Sequence, residues 1–262
     1  MKRNTVQKLC VFPLVAAVVA FAPGASGVEF PFSEAELFFE LNDTDGDLGI
    51  HALIDGGPYS TLTIEDPYER VILQLSAHGR LNRQGLTELF FESAEPSFDE
   101  LSPEDFFKRF PEGKYEIEGR RGQLEFEAEV RVSHVLAAPP EVLLNGGEAA
   151  DDCDAQDLPT FQAGQPIAIS WNEVTESHPE IGKKGKVKIQ RYQLFLEHLE
   201  DAQGNEVDFN TKFSVELPPT PGLISFPVPA EIAALRGMFK YEVIARTTKL
   251  NNTAVESCFI VQ

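Results

Sequence analysis

The feature that most constrains the fold is an alternation of apolar and polar residues with period two. Leu124, Phe126, Ala128, Val130 and Val132 alternate with Glu125, Glu127, Glu129, Arg131 and Ser133. Successive side chains of a strand point to opposite faces, so this segment reads as a half-buried strand with one wet face. Shorter versions recur at Leu37-Phe39-Leu41, Ile50-Ala52-Ile54, Leu62-Ile64, Val71-Leu73-Leu75 and Tyr115-Ile117. Turn signals stand between them at Asp45-Gly46, Gly56-Gly57-Pro58, Asp66-Pro67 and Glu112-Gly113. About seven strands at this spacing predict an antiparallel sandwich over residues 28–137.

The chain opens with Lys2, Arg3 and Lys8, then an apolar run from Val11 to Ala22 broken only by Pro13, then Ala25, Ser26 and Gly27. Charge, apolar core and small residues in that order predict a cleavable secretory signal over residues 1–27. The apolar run is shorter than the ~20 residues that span a bilayer, and no second stretch of membrane length follows. The expectation is a secreted or periplasmic protein with no membrane insertion after signal cleavage. Cleavage removes three of the 22 basic residues and none of the 42 acidic ones, leaving 19 against 42, a net of −23. Such a charge repels phosphate backbones and anionic bilayers, which disfavours nucleic acid as a partner. Cys153 and Cys258 remain, and an oxidising compartment favours one disulfide between them; a free pair and an interchain link are the alternatives.

One helix interrupts the strands. Ser102 is a natural N-cap, Pro103 suits the first helical position, and Glu104 and Asp105 complement the helix dipole. Phe106, Phe107 and Phe110 then form an apolar face, read as a plug closing one end of the sandwich rather than as a ligand platform. Leu89-Phe90-Phe91 is read as core on the same grounds.

The segment from Asn42 to Ile50 carries the most chemistry. Asp43, Asp45 and Asp47 alternate, so a tight loop can bring three carboxylates to one hard cation, and calcium prefers such an all-oxygen cage. The pattern departs from an EF-hand. Its glycine falls one place late at Gly49, Leu48 stands at the bend, and Ile54 occupies the position of the closing Glu, with Asp55 one further on. The competing reading is a hairpin turn, with Asp45-Gly46 supplying the backbone angles.

Pro139-Pro140 marks the boundary of a second domain, residues 138–262. The acidic run with Asp151, Asp152, Asp154 and Asp157 reads as a solvated loop rather than a second cation site. Alternation returns at Ile167-Ile169-Trp171, Tyr192-Leu194-Leu196, Phe213-Val215, Phe239-Tyr241-Val243-Ala245 and Val255-Ser257-Phe259-Val261. With Ile169-Ser170-Trp171, the stretch from Tyr192 to Leu196, and Leu235 six residues before Tyr241, this half resembles the fibronectin type III family. The resemblance implies an Ig-like sandwich with Trp171 and Tyr241 as core landmarks and Leu235 with Tyr241 at the corner into the sixth strand. It implies little about function, since the family serves in adhesion, in receptor ectodomains and as spacers. The connection between Val142 and Pro166 is longer than the family's, and a bond from Cys153 to Cys258 in the last strand would pin it to the sandwich edge. Lys183, Lys184, Lys186 and Lys188 form the one basic cluster. It is read first as a solvated loop, with docking to an anionic glycan or to the acidic first domain as alternatives.

The fold expected is all-β, two sandwiches in tandem with one short helix in the first. No catalytic residues are assigned: His51, His78, His134, His178 and His198 lack metal-ligand spacing, and no nucleophile elbow or phosphate loop occurs. The function expected is a non-catalytic binding or adhesion module, stiffened by calcium if the aspartate loop binds it, whose partner is an extracellular protein or glycan. A structural assembly protein of the cell envelope is the alternative, and a glycoside hydrolase a weaker one.

Overall fold

The alternating segments build three sheets in the computed structural model, which describes residues 28–207 and 212–262. The expected signal, residues 1–27, lies outside the described residues. The first half supplies β1 (Val28–Pro31), β2 (Glu34–Asn42), β3 (Asp47–Tyr59), β4 (Thr61–Glu65), β5 (Val71–Ser76), β6 (Leu86–Glu92), β7 (Gly113–Arg121) and β8 (Leu124–Val132). Helix α1 (Gly79–Gln84) precedes β6 and α2 (Pro103–Arg109) precedes β7. The second half supplies β9 (Val142–Leu144), β10 (Gly147–Glu148), β11 (Thr160–Phe161), β12 (Ala168–Asn172), β13 (Ile189–Asp201), β14 (Lys212–Leu217), β15 (Leu223–Pro227), β16 (Gly237–Thr247) and β17 (Asn252–Val261). Helix α3 (Ala230–Ala233) lies between β15 and β16. Three short helices are present among the described residues where the sequence pattern showed one. Neither α1, with no buried residue, nor the four-residue α3 carries an apolar periodicity long enough to read.

The chain is all-β with two sandwiches, as expected, and the two share a sheet. The large sheet runs β14-β13-β16-β17-β2-β3-β6, with β11 also on β17. A five-stranded sheet, β1-β8-β7-β4-β5, backs its first-half strands, and a four-stranded sheet, β10-β9-β12-β15, backs its second-half strands. The join is the parallel pairing of β17 with β2, only three residues long: Asn252↔Glu40, Thr253↔Leu41 and Ala254↔Asn42.

Each sandwich keeps its own core. Leu37, Phe39, Ile54, Tyr59 and Ile117 are among the fully buried residues of the first, and Trp171, Tyr192, Leu194, Phe239 and Val243 of the second. Burying such a side chain contributes about 1.5–3 kcal/mol. The change of core falls between Leu136 and Ala137, which belong to the first and second respectively. Polar stitches hold this linker. Asn251 donates from Nδ2 to the carbonyls of Ser133 (2.7 Å) and Val135 (3.1 Å) and accepts from the Phe39 N–H (3.0 Å), while Thr253 donates to the Ala137 carbonyl (3.0 Å).

Helix α2 forms as its sequence predicts. The Ser102 side chain accepts from the Asp105 N–H at 3.3 Å, and Phe106 is buried against Phe39, ring centroids 5.3 Å apart. At Gly56-Gly57-Pro58 the structure corrects the sequence reading. This is no turn: β3 runs through it to Tyr59. A Cβ on Gly57 would lie 2.4 Å from the Phe126 ring, and one on Gly56 would lie 2.8 Å from Phe32. The glycines are there to let two phenylalanines approach the backbone.

Candidate interaction face on the shared sheet

Directly paired residues of neighbouring strands share a face, so the register defines the side of the large sheet away from both small sheets. One row runs Glu92, His51, Phe38 across β6, β3 and β2; another runs Gly49, Glu40, Asn252, Arg246, Arg191 from β3 to β13. No other sheet covers this face among the described residues. It holds a groove of about 300 Å³ whose lining comes from both halves of the chain. A second depression of about 360 Å³ continues it over β13 and β14, and the two meet at Phe195 and Glu242.

Its middle is buried through polar contacts. Arg246, 2% exposed, lays its guanidinium over the Phe38 ring at 4.3 Å. Its Nη2 donates to Glu36 Oε2 at 2.5 Å and its Nη1 to Asn252 Oδ1 at 3.1 Å. Asn252 Nδ2 in turn donates to Glu40 Oε2 at 2.6 Å. This chain ties β16, β17 and β2 together across the short join. Beside it, His51 Nε2 meets Glu95 Oε1 at 2.9 Å, and Lys240 pairs with Glu256 at 2.6 Å. The rims are aromatic: Phe90 on β6 is 59% exposed and Phe195 on β13 is 37% exposed. The reading of Phe90 as core is therefore corrected. It sits on the polar phase of β6, and its neighbours Leu89 and Phe91 pack against the first core.

Carboxylates are crowded here. Burial, then Glu40 and Glu256, pushes Glu242 up to about 7, with Lys240 opposing. Burial, then Glu95, Asp45, Glu256 and Glu40, pushes Asp47 up to about 6. Both shifts mean that charge on this face is held against its own surroundings.

The structure gives one of the three loop aspartates a partner outside the loop. The segment is a hairpin turn closed by the pair Asn42↔Asp47, with Gly46 at φ 66°. Asn42 Oδ1 accepts from the N–H groups of Thr44 (3.1 Å) and Asp45 (3.2 Å), and its Nδ2 donates to Asp45 Oδ2 at 3.2 Å. Asp43 Oδ1 turns the other way, to His178 Nε2 at 2.7 Å. His178 Nδ1 accepts from the backbone of Glu180 and Ile181, so Nε2 carries the proton that Asp43 receives. Asp47 Oδ1 is buried with no hydrogen-bond partner. Among the described residues the one trio of acidic ligand atoms within 4.8 Å of each other is Glu29, Glu125 and Glu127, at the β1–β8 pair.

The hairpin does mechanical work on β17. After β2 ends, Asp43 N–H donates to the Ala254 carbonyl (2.9 Å), and Thr44 Oγ1 both donates to and accepts from the Glu256 backbone (3.1 and 3.0 Å). Beyond it the Cys153–Cys258 disulfide and then β11 take over the same edge. The lysine loop is divided in the same way. Lys183 pairs with Glu112 of the first half and Lys184 donates to the carbonyls of His178 and Pro179, while Lys186 and Lys188 are exposed.

Neither groove nor rim was assigned from sequence. The one signal available was Phe38, Phe90 and Phe195 standing on the polar phase of otherwise alternating strands.

No family model and no curated protein matches the chain. Among solved structures it is similar to one that gives insight into host cell surface retention of a 1.5-MDa bacterial ice-binding adhesin, at 12% identity and TM-score 0.25, covering 90% of this chain and 66% of that one. It is similar to a Ca²⁺-stabilised ice-binding adhesin of an Antarctic bacterium, at 12% identity and TM-score 0.25, covering 87% and 50%. Similarity extends to red sea bream transglutaminase, at 13% identity and TM-score 0.23, covering 87% and 31%. The chain thus spans from under a third to about two thirds of these proteins, and none of them assigns it an activity. Among the described residues no helix is long and apolar enough to cross a membrane.

Proposed function

We propose that the protein is an exported, non-catalytic binding module that engages an extracellular protein or glycan through the open face of its shared sheet. One observation carries this reading: a groove built jointly by both sandwiches, rimmed by exposed Phe90 and Phe195 and lined by carboxylates. Concave sites with a few convergent polar groups and apolar walls are the usual form of a binding site. Within this reading the second sandwich is a fibronectin type III-like unit. Its support is a sheet of β9, β12 and β15 facing β14-β13-β16-β17, with Trp171 and Tyr241 both buried. Leu235 departs from the family corner, since it is 36% exposed in the turn after α3.

The test is recovery of partners from native envelope and medium with the intact chain as bait, together with an oligosaccharide array and light scattering. Capture that Phe195→Ala abolishes supports the reading. Turnover of a glycoside panel, or concentration-dependent growth in mass with no captured partner, overturns it in favour of a hydrolase or an assembly protein.

Calcium stabilisation is a separable part of the proposal. Its support is the carboxylate surplus around Asp47; with Asp43 given to His178, an ion there draws on Asp45 and Asp47. Millimolar calcium is expected to raise the melting temperature by a few degrees and a chelator to reverse it, an effect of about 1 kcal/mol. Superimposable melting curves would remove calcium from the account.

A further inference from the structure

We propose that the partner of the open face is a basic polypeptide segment, whose Lys or Arg side chains dock where phenylalanine and glutamate stand side by side. This rests on the binding-module reading above and names the chemistry of its ligand. The groove floor already shows the mode of recognition. The Arg246 guanidinium lies on Phe38 at 4.3 Å with Glu36 bonded to its edge, so a cation is held by one ring face and one carboxylate.

The same combination occurs twice more, at the rims. Phe195 on β13 is directly opposite Glu242 on β16 in the register. Phe90 and Glu92 are two apart on β6 and so share a face. Both rings are exposed, and neither Glu242 nor Glu92 forms an ion pair among the described residues. The cations that line the groove and its continuation are already committed: Arg246 to Glu36, Arg191 to Glu216 at 3.1 Å, Lys240 to Glu256 at 2.6 Å and Lys212 to Glu197 at 3.3 Å. What faces the groove is therefore net negative charge beside open aromatic faces, which is complementary to Lys and Arg.

The spacing selects a segment over a single amine. From β13 to β6 the sheet order crosses β16, β17, β2 and β3. At ~4.8 Å per strand the two rims are about 24 Å apart across the strands, and the register also offsets them by eight residues along the strands, while both still line the one groove. An extended chain advances about 3.3 Å per residue, so the crosswise distance alone asks for two basic side chains about seven or more residues apart.

The test uses the intact chain and synthetic ten-residue peptides carrying two Arg at separations of two to eight residues. Controls are the same peptides with Glu for Arg, and neutral oligosaccharides. Binding is read by calorimetry at pH 8, where Glu242 is ionised, at 50 and 300 mM salt, with circular dichroism and melting to confirm the fold of each variant. The expected result is a preference for the longer Arg separations, weakening at the higher salt. Phe195→Ala and Glu242→Gln are each expected to weaken binding about threefold to tenfold. Phe90→Ala, on the opposite rim, is expected to abolish the preference for separation. Equal affinity for all separations, or binding unchanged in all three variants, overturns the proposal. Retention of a neutral oligosaccharide without the Arg peptides also overturns it, and leaves the binding-module reading intact. A concentration-dependent dimer lost in Glu242→Gln overturns it by placing a second copy on the face. Only the failure of every ligand, in this assay and in the capture from medium, removes both.

Discussion

The two faces of the shared sheet bury their middles by different physics. On the inner face, Leu37, Phe39 and Leu41 of β2 and Tyr241 and Val243 of β16 are removed from water against the small sheets. That burial is non-directional and scales with apolar area. On the open face, Phe38, His51, Asn252 and Arg246 are each 5% exposed or less with no sheet above them. They are buried by one another, through directional bonds from Glu36 to Arg246 to Asn252 to Glu40. The inner face therefore answers to volume, and the open face to the completeness of a polar network.

Adjacent residues of β2 test this difference. Phe39→Ala removes a fully buried ring from among Phe106, Phe107 and the inner sheet, and is expected to cost about 3–5 kcal/mol in chemical denaturation. Phe38→Ala should cost less, because its ring is covered by the Arg246 guanidinium and the His51 ring rather than by a facing sheet. Equal losses would dissolve the distinction.

The network gives the next largest effect. Arg246→Ala leaves the buried Asn252 Oδ1 without its donor and the part-buried Glu36 without its cation, and is expected to cost about 3 kcal/mol. Arg246→Met combined with Glu36→Gln removes charge from both partners while keeping volume, and should recover most of that loss. If the double variant is as unstable as the single one, packing rather than pairing holds this face.

The smallest effect is set by pH. Glu242 is raised to about 7 and Asp47 to about 6, from 4.5 and 3.8. A carboxyl whose folded value is raised contributes stability that is complete below its unfolded value and is lost as pH rises through the folded one. Stability should thus fall between about pH 4 and 7, and Glu242→Gln should flatten that slope and stabilise the protein at pH 8 by on the order of 1 kcal/mol. A slope unchanged in the variant would show that Glu242 does not report on the crowded face.

Much of the inner face was legible in one dimension. The alternation of β2, β3, β8 and β16 placed Phe39, Ile54, Val130 and Val243 inside, and Ser102-Pro103 located α2. The open face was not legible, because period two says which side of a strand is apolar and is silent about which strands become neighbours. Phe38 beside Phe39 looks like a surplus phenylalanine until β17 and β16 bring Arg246 over it. The partners of the aspartate loop were illegible for a related reason. Spacing brings Asp43, Asp45 and Asp47 close along the chain, but it does not show that His178, 135 residues away, bonds Asp43.

By itself, then, the sequence determined what is local: strands from alternation, a capped helix, and the acidic balance that makes a basic partner complementary. Only the tertiary structure decided that two sandwiches share one sheet through three residue pairs of β2 and β17, and that a groove crosses the join. The physical reason is that strand pairing uses backbone groups common to every residue. A partner more than two hundred residues away leaves no mark in the pattern until the chain has folded onto it.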